Sequence, residues 1–121
     1  MSQKRYKLTR LIEIQHSFSG DRQKSHAHTL SVCCTVVLPE DDEIMDYSEA
    51  EAVLDKCFKR YEGQYLNNFV ELNGNASVEH FGEVLCYDID AKLKELGYDL
   101  VRFEIGETPM RIYVITDELR E

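Results

Sequence analysis

The sequence predicts an α+β domain of order ββααββ, a four-stranded antiparallel sheet with two helices on one face. Three observations carry this reading. Apolar residues alternate with period two near both ends of the chain, they recur at helical spacing through the middle, and the first two alternating runs are joined too closely for a parallel crossover.

Each element has its own signal. Over residues 6–18, Tyr6, Leu8, Ile12, Ile14, His16 and Phe18 share one face with Arg10 as the exception, which reads as a half-buried strand. The polar stretch 20–25 is turn-prone. A second strand follows, with His26, His28, Leu30, Val32, Cys34, Val36 and Leu38 on one face. Pro39-Glu40-Asp41-Asp42-Glu43 is an acidic break, after which a helix begins near Asp46 to Ser48. Either Asp46 with Glu49 or Ser48 with Glu51 could close a capping box there. Ala50, Val53, Leu54, Cys57, Phe58 and Tyr61 form its buried stripe, and Gly63 stops it. Residues 68–76 read as loop. Ser77 can cap a second helix running through Leu96, with Gly97 as its terminator. Strands at 100–107, alternating through Val101, Phe103 and Ile105, and at 110–115 close the chain.

With 121 residues and 43% apolar content the chain fits one domain, residues 1–121. A chain of this size buries roughly 65% of its unfolded surface, so it needs neither metal nor disulfide merely to fold. The net charge of -9 argues against nucleic acid or an anionic membrane surface as partner. Residues 1–30 nevertheless hold six basic and two acidic side chains, a rim that could attract an anion or simply be solvated. The longest apolar run, Val32 to Leu38, is far short of the roughly 20 residues of a membrane span. The first residues lack the apolar stretch of a signal peptide, so a cytoplasmic location is expected. Cys33, Cys34, Cys57 and Cys86 show no ligand-like spacing and read as buried free thiols. Two unpaired sheet edges, long and apolar, call for assembly with other copies.

The strongest chemical signal is histidine. His26 and His28 point to one face of a strand, and an antiparallel hairpin brings His16 beside them. Three neutral imidazoles leave a fourth position of a zinc ion open to water or substrate. A His-x-His pair by itself is also a common surface feature; the third histidine in matching register favours the metal. His80 reads as a capping or surface residue instead.

The ordered motifs resemble the 6-pyruvoyltetrahydropterin synthase / 6-carboxytetrahydropterin synthase family, which has the tunnelling fold, over nearly the whole chain. The family's first zinc histidine matches His16 in Glu13-Ile14-Gln15-His16, and its His-Gly-His matches His26-Ala27-His28. Its Asp-Phe matches Asp46-Tyr47, and its Leu-Asp-His-x-x-Leu-Asn matches Tyr61-Glu62-Gly63-Gln64-Tyr65-Leu66-Asn67. Its Pro-Thr-x-Glu-Asn matches Ala76-Ser77-Val78-Glu79-His80, and its late Glu-Thr matches Glu107-Thr108. The resemblance implies Zn2+ on His16, His26 and His28, holding the side chain of a dihydropterin. It also implies Glu107 as acceptor for the pterin's N–H groups, a role two carboxylate oxygens suit. Ser77 and Thr108 could add contacts, although Ser77 reads equally well as a plain helix cap and Glu107 as an exposed strand-end carboxylate.

The chain departs from the family at its catalytic positions. The cysteine that precedes His-Gly-His is absent from Asp21-Arg22-Gln23-Lys24-Ser25, where a subgroup's glutamate has Gln23 as its nearest equivalent. The Asp-His pair becomes Glu62-Gly63. Proton abstraction needs a base within reach, and Arg22 stays protonated. Cys34 lies too far along its strand. Glu62 and Asp21 remain as carboxylate candidates, each also readable as a solvated charge. Two functions follow: a zinc-dependent, lyase-like enzyme on a reduced pterin of the dihydroneopterin triphosphate class, with water activated by the ion or Glu62 as base; or a non-catalytic zinc- and pterin-binding paralogue. The resemblance further implies a homo-oligomer, a trimer-based hexamer with sites between subunits.

Overall fold

The computed structural model describes residues 5–17, 26–37 and 47–116. The chain order is β1 (Arg5–His16), β2 (His26–Val37), α1 (Tyr47–Lys59), α2 (Val78–Glu95), β3 (Asp99–Thr108) and β4 (Arg111–Thr116). The four strands form one antiparallel sheet in sequence order, and both helices lie over the same face. Phe18, the turn at 20–25 with Asp21, Arg22 and Gln23, Leu38, the acidic break at 39–43 and Asp46 lie outside the described residues. The helix begins at Tyr47, so Ser48 stands inside its first turn and cannot be its cap.

The core is the layer between sheet and helices. Ile12, Ile14, Leu30, Val32, Cys34 and Val36 from the first two strands meet Leu54, Phe81, Leu85, Ile89 and Leu93 from the helices. Arg10, the one Lys or Arg on the inner register of β1, is accommodated by α1. Its Nη2 lies 2.6 Å from Glu51 and its Nε donates to Asp55 at 2.8 Å. Those two carboxylates stand four residues apart on one helix face, so a single guanidinium fork spans them.

β3 departs from simple alternation. The ladder shifts between Thr35 and Val36, pairing Thr35 with Arg102 and Val36 with Leu100. Val101 is therefore the extra residue of a bulge, and Leu100 takes the inward position expected of it, alongside buried Phe103 and Ile105. Further along β3 the α2 helix comes very close: a Cβ on Gly82 would lie 2.7 Å from Ile105 Cγ2.

α2 is bounded as its sequence requires. The Ser77 hydroxyl accepts the His80 N–H at 3.2 Å, and Gly97 leaves the helix at φ 85°. The segment expected as loop, 68–76, contains the short 3-10 turn Val70–Leu72, and a second, Leu66–Asn68, leads into it. It is fastened by Arg60, which pairs with Glu71 at 2.7 Å and stacks over Tyr61 and Phe69. Cys34, Cys57 and Cys86 are buried free thiols and Cys33 is partly so. Burial pushes the Cys34 thiol far up, and Cys57 up to about 11. No helix among the described residues is long and apolar enough to cross a membrane.

Candidate metal centre and adjoining cleft

The register of β1 against β2 creates the site. His16 lies directly opposite His26, and Ile14 opposite His28, so all three histidines share the inner face where the two strands end. Their rings meet edge to face: the centroids are 4.6 Å apart for His16–His26, 4.9 Å for His16–His28 and 4.7 Å for His26–His28. One nitrogen from each lies within 4.8 Å of the other two. His16 is wholly buried, His28 half-buried and His26 exposed, which leaves the cluster open on one side.

Two of the rings, His16 and His28, are conditioned for ligation. His16 Nδ1 lies 2.7 Å from the Ala76 carbonyl oxygen. A carbonyl only accepts, so Nδ1 carries the proton and the lone pair of the neutral ring sits on Nε2. His28 is held below the ordinary imidazole value, chiefly because burial disfavours the cation; Glu107 opposes this, and His16 and His26 reinforce it. A neutral imidazole is the form that binds a metal. Glu107 Oε2 stands 3.6 Å from His28 Nδ1, so a carboxylate faces the ring edge. Three nitrogen donors without a sulfur or carboxylate among them suit a borderline ion such as zinc.

Beside the histidines, a cleft of about 580 Å³ opens between the start of α2 and the β3–β4 hairpin. Val78, Glu79, Gly106, Glu107, Thr108 and Arg111 are among its walls. Its size falls in the range of small-ligand sites. Gly106 is required here, because a Cβ would sit 2.6 Å from the Arg111 carbonyl oxygen.

The remaining sequence candidates divide. Thr108 lines the cleft, and its hydroxyl oxygen accepts the Met110 N–H at 3.0 Å to close the hairpin turn. Ser77 serves as the α2 cap, one residue before the cleft wall at Val78. Glu62 is exposed, and its carboxylate accepts the Glu13 backbone N–H at 3.1 Å, three residues along β1 from His16. His80 pairs loosely with Glu83 at 3.8 Å and is outside the histidine cluster.

Two contacts at the site had no signal as functional groups. The Ala76 carbonyl is backbone and leaves no trace in residue type. Asn67, recognisable only as a motif position, binds both the N–H (2.9 Å) and the carbonyl (2.8 Å) of Ser17, the residue after His16.

Comparison with known proteins decides the family. Residues 3–118 match the family described as 6-pyruvoyl tetrahydropterin synthase. The chain belongs to this family. Among solved structures, 6-pyruvoyl tetrahydropterin synthase from Caenorhabditis elegans is similar with TM-score 0.75 and 12% identity, over 96% of each chain. The Plasmodium falciparum synthase aligns at TM-score 0.62 and 13% identity, over 95% of this chain and 98% of that one. A Plasmodium vivax synthase with alanine replacing a glutamate described as catalytic aligns at TM-score 0.58 and 14% identity, over 93% of this chain and 97% of that one. At such identities these likenesses establish the fold alone. A comparison with curated proteins finds no significant match. Within the synthase family, then, this chain carries a three-histidine candidate metal site.

Proposed function

We propose that this chain is a zinc-dependent, lyase-like enzyme acting on a reduced pterin of the dihydroneopterin triphosphate class. The observation that carries the reading is the joining of two features by Glu107, whose carboxylate faces His28 on one side and lines the ligand-sized cleft on the other. His16, His26 and His28 would hold the ion. When bound, it would polarise an oxygen of the substrate's side chain and acidify a water there. Glu107 would accept the pterin's ring N–H groups, with Thr108 and Ser77 adding hydroxyl contacts at the same end. Glu62 remains the candidate base among the described residues, although its carboxylate is engaged with the Glu13 N–H. A homo-oligomer, with the trimer-based hexamer implied by family resemblance, would complete sites between subunits.

The engagement of Glu62 favours a second reading, a non-catalytic zinc- and pterin-binding paralogue. Incubation of the zinc-loaded protein with dihydroneopterin triphosphate, followed by product analysis, separates the two. The enzyme reading expects a pterin product from which part of the substrate's side chain has been cleaved. Pterin binding at micromolar concentration without turnover would favour the paralogue.

A further inference from the structure

The far edge of β1, toward its last residues, is held by a distant segment of the chain. From Glu13 to Ser17 every second residue is gripped by the segment 62–67. Glu13 N–H donates to the Glu62 carboxylate at 3.1 Å, and the Glu13 carbonyl accepts the Gly63 N–H at 2.6 Å. Gln15 N–H donates to the Gln64 carbonyl at 2.9 Å. At Ser17 backbone pairing gives way to one side chain: the Asn67 amide accepts the Ser17 N–H and donates to the Ser17 carbonyl. An Asn side chain offers one acceptor and two donors in a plane, so it can complete a peptide's hydrogen bonds as a neighbouring strand would. His16 lies between the last two grips, Gln15 and Ser17. Its ring must still reach the Ala76 carbonyl, sixty residues away in sequence.

We propose that Asn67 is a positioning residue for His16. By fixing the peptide that follows His16, it aims the Nδ1–H at Ala76 and so keeps Nε2 as the donor toward the other two histidines. Groups that orient a metal-binding histidine from outside the ligand set commonly govern affinity by about 10- to 100-fold. The inference rests on the metal-site reading above, and it assigns the 62–67 segment a part in that site through the backbone.

The test has two readouts on Asn67→Ala, with Tyr98→Phe as control; the control loses the 3.0 Å bond from Tyr98 to Glu49, remote from the histidines. The first is zinc affinity by competition with a chromophoric chelator. The second is nitrogen NMR of the His16 ring in metal-free protein, which reports its tautomer. Asn67→Ala should weaken zinc binding about tenfold or more and turn a single Nδ1–H tautomer into a mixture. The control should change neither. Unchanged affinity and tautomer in folded Asn67→Ala would overturn the role. If wild-type protein binds no zinc, the metal-site reading fails, and the tautomer comparison still decides whether Asn67 orients His16. Should Asn67→Ala not fold, Asn67→Asp, which keeps the acceptor for the Ser17 N–H and loses the donor, is measured the same way. Failure of both variants to fold would make Asn67 part of the general scaffold and overturn the specific role.

Discussion

At the scale of single residues, the site combines groups whose chemistry is visible in sequence with groups whose chemistry comes only from position. His26 and His28 are legible because a strand returns every second side chain to one face, and His16 because the hairpin register pairs it with His26. The Ala76 carbonyl was not legible, since every residue has one and only the fold selects it. Glu107 was legible as a carboxylate at a strand end, but not as the residue facing His28. Glu107→Gln keeps its shape and replaces one acceptor by a donor. It should weaken binding of a reduced pterin by about 10- to 100-fold, the equivalent of a charged hydrogen bond worth about 1.5–3 kcal/mol, while leaving metal content unchanged. A fluorescence titration with the pterin, beside elemental analysis, checks both halves. Gly106→Ala places a Cβ 2.6 Å from backbone at Arg111, so the hairpin must shift. A loss of about 1–3 kcal/mol in urea unfolding is expected, together with weaker pterin binding; unchanged stability would mean that the hairpin is softer than its packing implies.

Among the elements, the two long β-strands and both helices follow from periodicity and their stop signals. The discrepancies have local causes. Val101 does not face inward because a bulge adds one residue to β3, which no alternation pattern announces. The loop at 68–76 contains a short 3-10 turn at Val70–Leu72, where Arg60, Tyr61 and Glu71 tie it down through contacts ten or more residues apart. That tie also gives a pH signature. Burial works against the Glu71 charge, but hydrogen bonds from its own backbone N–H, from Tyr61 and from Arg60 outweigh it and hold the carboxyl below its ordinary 4.5. The unfolded chain therefore takes up this proton first as pH falls, so the contribution is intact above about pH 4.5 and is lost as pH drops through the lower folded value. Thermal unfolding between pH 3 and pH 6 should show a smaller acid-side loss for Glu71→Gln than for the wild-type chain. Parallel profiles would show that the tie carries no charge-dependent stability.

For the whole molecule, the sheet order leaves β1 and β4 at the edges, and the 62–67 segment covers β1 only over its last residues. The outer edges of β4 and of the first half of β1 are paired with no further strand among the described residues, which is the physical ground for expecting assembly. Analytical ultracentrifugation should therefore find a multiple of the 14.1 kDa chain, six copies on the proposed reading. A monomer at micromolar concentration would leave those edges unexplained and would remove the shared sites from the proposal. Residues beyond 30 carry eight basic and 21 acidic side chains, so the proposed assembly must offset self-repulsion by edge pairing and apolar contact.

Everything proposed for the site depends on the three imidazoles sharing one ion. Elemental analysis of untagged protein, equilibrated with zinc and dialysed, addresses this directly. The account predicts about one zinc per chain in the wild type and essentially none in His26→Ala of unchanged circular dichroism. A folded wild-type chain that retains no zinc, or a His26→Ala variant that retains as much, would contradict it.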